Sequence, residues 1–142
     1  MAIVWIVDDQ EIHREGGKRA LEAAGRTVRV FQHPQHVLAA LSNESPPDAL
    51  VTDYDMNISS LNGVKLAMKI RELGHKFPVV LTSSDSLETI QNDFGEDFPD
   101  GRLHIGVAGA AIDRYVKKNK ESYAAVANAV GQLISDRQRT PQ

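Results

Sequence analysis

Aspartates at positions 8, 9, 53 and 55, the hydroxyl pair Thr82-Ser83 and the lysine pair Lys117-Lys118 are the residues of this chain best suited to chemistry. The acids and hydroxyls close short apolar runs, IVWIV ahead of Asp8-Asp9, ALVT ahead of Asp53 and VVL ahead of Thr82-Ser83, and the lysines follow Tyr115-Val116. Carboxylates gathered in one small mouth repel strongly, so such a cluster persists only with a cation or a buried ammonium to compensate it. All-oxygen ligands suit a hard ion such as Mg²⁺, which keeps several waters and takes one or two carboxylates. A lysine and a hydroxyl beside that ion complete a site able to hold a phosphoryl group, with metal, ammonium and hydroxyl each taking one oxygen. Taken singly, each feature has an ordinary structural reading. An Asp pair before a helix is an N-cap, a strand-end Asp is a turn residue, surface lysines are solvated, and a Ser or Thr caps the next helix. Their joint arrival at four strand ends favours the chemical reading.

An alternation of strand and helix patterns positions these residues. Short β-branched runs predict strands over residues 3–7, 27–31, 49–52, 77–81 and 112–116. Apolar residues at helical spacing predict helices over 10–24, 33–41, 63–73, 84–92 and 123–134. Gly25 and Gly74 suit the ends of the first and third helices, Pro34 suits the first turn of the second, and Gly16-Gly17 weakens the first. The stretch SNESPP over 42–47 reads as a loop, and FGEDFPDGRLHIG over 94–106 as a long irregular excursion. The polar ending reads as frayed, so the expected organisation is one domain over 1–136 and a tail over 137–142. Strands and helices joined by short loops imply a parallel sheet covered on both faces, because parallel neighbours need a crossover. Ligands of such folds sit beyond the carboxyl ends of the strands, where the acids, hydroxyls and lysines fall.

The length of 142 residues suits one domain, and a hydrophobic fraction of 42% with a charged fraction of 25% excludes disorder along most of the chain. The absence of cysteine excludes disulfides, thiol catalysis and cysteine-ligated metals. A net charge of -3 offers no basic footprint for nucleic acid. No apolar run approaches the roughly 20 residues of a membrane span, and MAIVWIVDDQ lacks the basic flank and cleavage site of a signal peptide. A cytoplasmic location, with neither nucleic acid nor membrane as partner, is expected. Neither a P-loop nor a dinucleotide-binding fingerprint follows the first strand. His33 and His36 read as a surface pair rather than metal ligands.

With these residues in place, the sequence resembles the receiver domain of two-component response regulators, in its stand-alone single-domain form. The resemblance rests in order on IVWIVDDQ, LEAAGRTVRVF, PDALVTDYDM, GVKLAMKIR, FPVVLTSS and RYVKKN, and runs from about Ile3 to Ile134. It implies an α/β fold, the flavodoxin-like (βα)5 sandwich, with a five-stranded parallel sheet in the order 2-1-3-4-5. It implies Asp53 as the phosphoacceptor, taking its phosphoryl group from a histidine kinase or a histidine phosphotransfer protein. Asp9 would ligate Mg²⁺ directly, Asp8 would help through water, and Asp55 would offer its backbone carbonyl. Lys118, rather than Lys117, matches the lysine that contacts the phosphoryl group. Ser83 matches the switch hydroxyl by its distance from Pro78, while the local Leu-Thr-small pattern keeps Thr82 as the alternative. Tyr115 matches the switch aromatic, and Asp55 and Asp85 occupy positions that in this family influence phosphoryl lifetime. The implied output is a change in contacts with a downstream protein or a second copy, through the fourth helix, fifth strand and fifth helix, with 94–106 included.

Several residues depart from the family pattern. Asn57 stands where proline commonly follows the methionine, and residues 56–63 make a longer loop than usual. Asn119 replaces the proline whose cis bond is linked to lysine placement, which implies a lysine held differently. The excursion over 94–106 lies on the face that receivers use for output. Two other readings compete. Asp53-x-Asp55 after a strand is similar to haloacid-dehalogenase-type phosphatases, which use the first Asp as nucleophile and the second as general acid, although there the motif ends the first strand and here two strands precede it. A receiver-shaped scaffold independent of phosphorylation is the other. With no room for an output domain, the consequence of phosphorylation is a change of protein contacts, unless the chain is a receiver cut from something longer.

Overall fold

In the computed structural model, residues 2–56, 61–94, 98, 100–107, 109–119 and 122–139 are described. The β-branched runs form strands β1 (Ile3–Val7), β2 (Thr27–Phe31), β3 (Ala49–Asp53), β4 (Val79–Ser83) and β5 (Arg114–Lys117). They alternate with helices α1 (Glu11–Ala23), α2 (Pro34–Asn43), α3 (Gly63–Glu72), α4 (Leu87–Phe94) and α5 (Ser122–Arg139). All strand pairs are parallel, in the order β2-β1-β3-β4-β5. This is the flavodoxin-like order, and chain direction across the sheet reverses at the β1/β3 junction, where such folds open their ligand mouth.

Alternate residues of the central strands feed two apolar layers. Val7, Leu50, Val79 and Leu81 join Val64, Leu66 and Ile70 of α3 and Ile90 of α4 on one face. Val4, Ile6, Val51 and Val80 join Leu21 of α1 and Val126 and Val130 of α5 on the other. Burial of each such side chain contributes about 1.5–3 kcal/mol, which fixes the register that the site depends on. Gly16 and Gly17 belong to this packing. A Cβ on Gly16 would stand 2.5 Å from the Tyr123 ring and one on Gly17 3.1 Å from Ile6 Cδ1, so the weak helix formers let α1 lie close to α5 and β1.

Several boundaries differ from expectation. The fourth strand is Val79–Ser83 rather than 77–81. Pro78 has no N–H for the ladder, the Phe77 carbonyl is taken by the Arg71 guanidinium at 2.8 Å, and Thr82 and Ser83 pair onward with β5. The fifth strand starts at Arg114 rather than 112. Ile112 instead bridges Ile105, and Asp113 is drawn towards β4, its carboxylate accepting the Val79 N–H at 2.7 Å. Helix α4 runs from Leu87 to Phe94 rather than 84–92, since Ser86 caps it, its Oγ accepting the Thr89 N–H at 3.2 Å. Among the described residues, the irregular excursion therefore extends to Asp113. Helix α5 continues to Arg139 rather than 134, so the expected tail over 137–142 begins inside a helix. Its Arg and Gln residues favour helix, and no breaker intervenes before Pro141. Asn57 and much of the 56–63 loop lie outside the described residues, as do 95–97 and 99 of the excursion.

Candidate functional site

Asp8, Asp53 and Lys118 meet at the carboxyl edge of the sheet because β1, β3 and β5 end there. Asp8 leaves β1 in a tight turn, its Oδ1 accepting the Gln10 N–H at 2.9 Å while its carbonyl accepts from the Arg14 guanidinium at 2.7 Å. Asp53 is the last residue of β3, opposite Thr82 of β4. Asp8 and Asp53 are 4% and 6% exposed, which in water-poor surroundings makes their charges costly unless matched. The ammonium of Lys118 lies 2.9 Å from Asp8 Oδ2 and 3.1 Å from Asp53 Oδ1. Its main-chain N–H donates to the Ser83 carbonyl at 2.8 Å, which locks the start of the β5–α5 connection onto β4. Lys117, one residue earlier, is exposed. All described peptide bonds are trans, so Lys118 reaches Asp53 with Asn119 following it in the trans form.

One ammonium does not neutralise this cluster. Burial, and then the Asp8 carboxylate, push Asp53 up to about 7, against the opposing pull of Lys118. Burial pulls Lys118 down, but Asp53 and Asp8 together outweigh it and hold the ammonium above its ordinary value. Asp8, Asp9 and Asp53 each offer a carboxylate oxygen within 4.8 Å of the others. Hard oxygens in excess negative charge are the donor set that a small divalent cation takes, so these residues fit such an ion.

The hydroxyls and the aromatic are arranged in sequence around this centre. Thr82 Oγ1 donates to the Thr52 carbonyl at 3.4 Å. Ser83, at the strand's end, accepts the Asp85 N–H on its Oγ at 2.9 Å, and the Tyr115 hydroxyl donates to the Asp85 carbonyl. Asp85 thus links Ser83 to Tyr115 through one residue's main chain. Asp55 is exposed. Partial desolvation, and then the charge of the nearby Asp85 carboxylate, raise it above the usual carboxylate range.

Three residues of the site, Gly63, His13 and Tyr123, escaped sequence reasoning. Gly63 opens α3 so close to the acceptor strand that a Cβ would stand 2.3 Å from the Asp53 carbonyl oxygen; a glycine at the head of an apolar helix was the available signal. On the α1/α5 side a small, partly open cavity of about 30 Å³ touches Asp53, Thr82 and Lys118 and is walled by His13 and Tyr123. His13 Nδ1 and the Tyr123 hydroxyl hydrogen-bond there at 3.0 Å, a contact across the sequence with no local signature.

A carboxylate cluster held by one lysine at the mouth of a flavodoxin-like sheet narrows the class to a small group of phosphoryl- and metal-handling α/β proteins. Comparison with known proteins is specific. The response regulator receiver domain family matches residues 4–96, and the chain belongs to that family. It is 36% identical over 123 residues to the DNA-binding transcriptional regulator NtrC of Salmonella typhimurium, covering 84% of this chain and 26% of that protein. The NtrC of Proteus hauseri is 35% identical over 122 residues, 83% of this chain and 25% of the relative. The chain therefore spans about a quarter of the length of these relatives. Among solved structures, the Francisella response regulator 1452 receiver domain superposes with a TM-score of 0.74 at 21% identity, over 96% of this chain and 99% of that one. A CheY-like receiver domain protein from Methanospirillum hungatei superposes with a TM-score of 0.73 at 20% identity, over 98% of each chain. No helix among the described residues is long and apolar enough to cross a membrane.

Proposed function

We propose that this receiver takes a phosphoryl group from the phosphohistidine of a histidine kinase or histidine phosphotransfer protein onto Asp53, in the cytoplasm, and converts the event into altered protein contacts. The observation that carries this reading is the Lys118 ammonium, held within 3.1 Å of Asp53 and 2.9 Å of Asp8. An Asp53 oxygen attacks phosphorus, the N–P bond breaks, and its electron pair leaves with the imidazole of the donor. Lys118 would meet the phosphoryl oxygens as they gather charge, its main chain anchored to Ser83 and its ammonium already held beside Asp53. Asp9 and Asp53 would hold Mg²⁺, with Asp8 acting through water and Asp55 through its carbonyl. When bound, that ion supplies the second positive charge for the phosphoryl oxygens and relieves the crowding of the acids.

Ser83 is the proposed switch hydroxyl, with Thr82 as the alternative. Thr82 Oγ1 is directed to a carbonyl within the sheet, whereas Ser83 sits at the strand's free end and bonds to Asp85. Turning the Ser83 hydroxyl towards a phosphoryl group releases the Asp85 N–H, and with it the residue whose carbonyl holds Tyr115. Such a device shifts the population between two packings on the face formed by α4, β5 and α5, where a downstream protein or a second copy would dock. The NtrC relatives are described as DNA-binding, but the net charge of -3 supports no nucleic-acid contact by this chain itself.

Incubation with acetyl phosphate and Mg²⁺ is expected to label wild-type protein once per chain, and Asp53→Ala is expected to abolish labelling. Failure of the wild type to label would leave a scaffold that works without phosphorylation, while sustained turnover of p-nitrophenyl phosphate would establish a phosphatase using Asp53 and Asp55. Asp55 and Asp85 are neighbouring carboxylates whose charges oppose each other, and they are proposed to set phosphoryl lifetime. Release of phosphate from labelled Asp55→Asn and Asp85→Ala should then differ from wild type, and equal lifetimes would remove that role.

A further inference from the structure

Tyr54, the residue after the proposed acceptor, is 4% exposed and its main chain is held from both sides. Its N–H donates to the Thr82 carbonyl at 2.8 Å, and its carbonyl accepts the Gly63 N–H at 3.0 Å. From that fixed base the phenol reaches α4, donating to Asp93 Oδ2 at 3.0 Å. Burial and the Asp93 carboxylate hold the phenol above its usual range, so it remains a protonated donor to a charged acceptor, the stronger kind of hydrogen bond.

Two residues earlier on the same helix, Gln91 joins α4 to the excursion through both ends of its amide. Its Nε2 donates to the Gly101 carbonyl at 3.1 Å and its Oε1 accepts the Leu103 N–H. Phe98, Leu103 and Ile105 pack on the same apolar cluster as Ile90 of α4. The other end of α4 is attached in a different way. Its approach, at Asp85, hangs on the Ser83 hydroxyl and the Tyr115 hydroxyl, two rotatable groups that the proposed switch rearranges.

We infer that the Tyr54–Asp93 bond is a fixed pivot for α4. It anchors the helix's C-terminal end and, through Gln91, the excursion, so that events at Asp53 displace only the first turn of α4 with Asp85 and Tyr115. The helix has eight residues, hence a length of about 12 Å, and a tilt about one end moves the far end while leaving the near end in place. The inference rests on Asp53 as phosphoacceptor. It divides the output face into a switching part around residues 85–89 and 115, and a constant part made by the described residues 98, 100–107 and 109–113. Tyr54 is thus a positioning residue.

Hydrogen exchange of the full chain, with and without beryllofluoride and Mg²⁺ as the phosphoryl mimic, tests this directly. In wild type the mimic should change exchange over 85–89 and 115–118 and leave 98–113 unchanged. In Tyr54→Phe, which keeps the buried ring, the mimic should speed exchange over 98–113 by roughly tenfold, the loss of one charge-assisted hydrogen bond. Asp93→Ala, an exposed position whose loss spares the core, should do the same, whereas Asp93→Asn keeps an acceptor and should keep the wild-type pattern. The pivot is overturned if 98–113 responds in wild type as strongly as 85–89, or if both Tyr54→Phe and Asp93→Ala behave as wild type. A wild type that responds nowhere and does not label at Asp53 overturns the phosphoacceptor reading and the pivot with it.

Discussion

The two ends of the sheet treat buried charge in opposite ways. At the carboxyl end Asp8 and Asp53 share the single ammonium of Lys118, with Asp9 close by, and Asp53 is pushed up to about 7. At the amino end of β4 both terminal nitrogens of the Arg71 guanidinium are engaged. It donates to the carbonyls of His75, Phe77 and Ala111 and pairs with Asp113 at 3.0 Å, whose carboxylate also accepts the Val79 N–H. The first arrangement is short of positive charge and gains by taking up a cation. The second is satisfied, and its effect is to fasten the excursion to α3 and β4. Buried charge left in excess marks the place for chemistry, and buried charge matched by partners marks a structural joint.

The largest expected effect lies at the joint. Arg71→Met keeps the apolar stem but strips Asp113 of its cation and frees three carbonyls from their donor. Because the pair is only partly exposed, the loss should be about 3 kcal/mol of folding stability, read from the urea midpoint. Phosphoryl uptake at Asp53 should survive wherever the variant is folded. A change below about 0.5 kcal/mol, the scale of an exposed surface pair, would show that Arg71 is not a structural joint and would remove the contrast between the two ends.

The same contrast explains what the sequence made legible. Asp8, Asp9 and Asp53 follow β-branched runs, so strand ends and acids could be located together, and Lys118 follows the last strand in the same manner. The parallel sheet and its two apolar layers come from this periodicity, whereas the strand order comes from the family resemblance. Partners that lie far apart in sequence leave no such trace. Tyr54 reads only as the neighbour of Asp53, since its phenol bonds to a residue 39 positions away. The excursion shows no period because single side-chain bonds from Gln91, Arg71 and Asp113 hold it. It turns at Gly101 and Gly106 with φ of 72° and 75°, a region closed to most other residues. Hydropathy starts β4 two residues early because it cannot register that Pro78 lacks an N–H and that an arginine occupies the Phe77 carbonyl. The choice between Thr82 and Ser83 turns on one step of register, to which a local pattern is blind.

A smaller effect, of opposite sign, is expected at the mouth. The Asp53 carboxyl is raised from an ordinary 3.8 to about 7, so the folded chain keeps this proton over a range in which the unfolded chain has released it. Its contribution to stability is therefore greatest below pH 3.8, falls as pH rises between 3.8 and about 7, and is flat above. Asn at this position cannot ionise but still offers Lys118 an oxygen. Without divalent cation, Asp53→Asn should differ little from wild type near pH 4 and be more stable near pH 8, by on the order of 2 kcal/mol. Adding Mg²⁺ at pH 8 should narrow that gap, because only the wild type gains from the compensating charge. Urea unfolding of both proteins at the two pH values, with and without Mg²⁺, measures all of this. A gap that is independent of pH would mean that Lys118 already neutralises the cluster, so that both ends of the sheet are equally satisfied. A gap that appears with pH but ignores Mg²⁺ would leave the charge excess in place and deny that Asp8, Asp9 and Asp53 act together as its cation site.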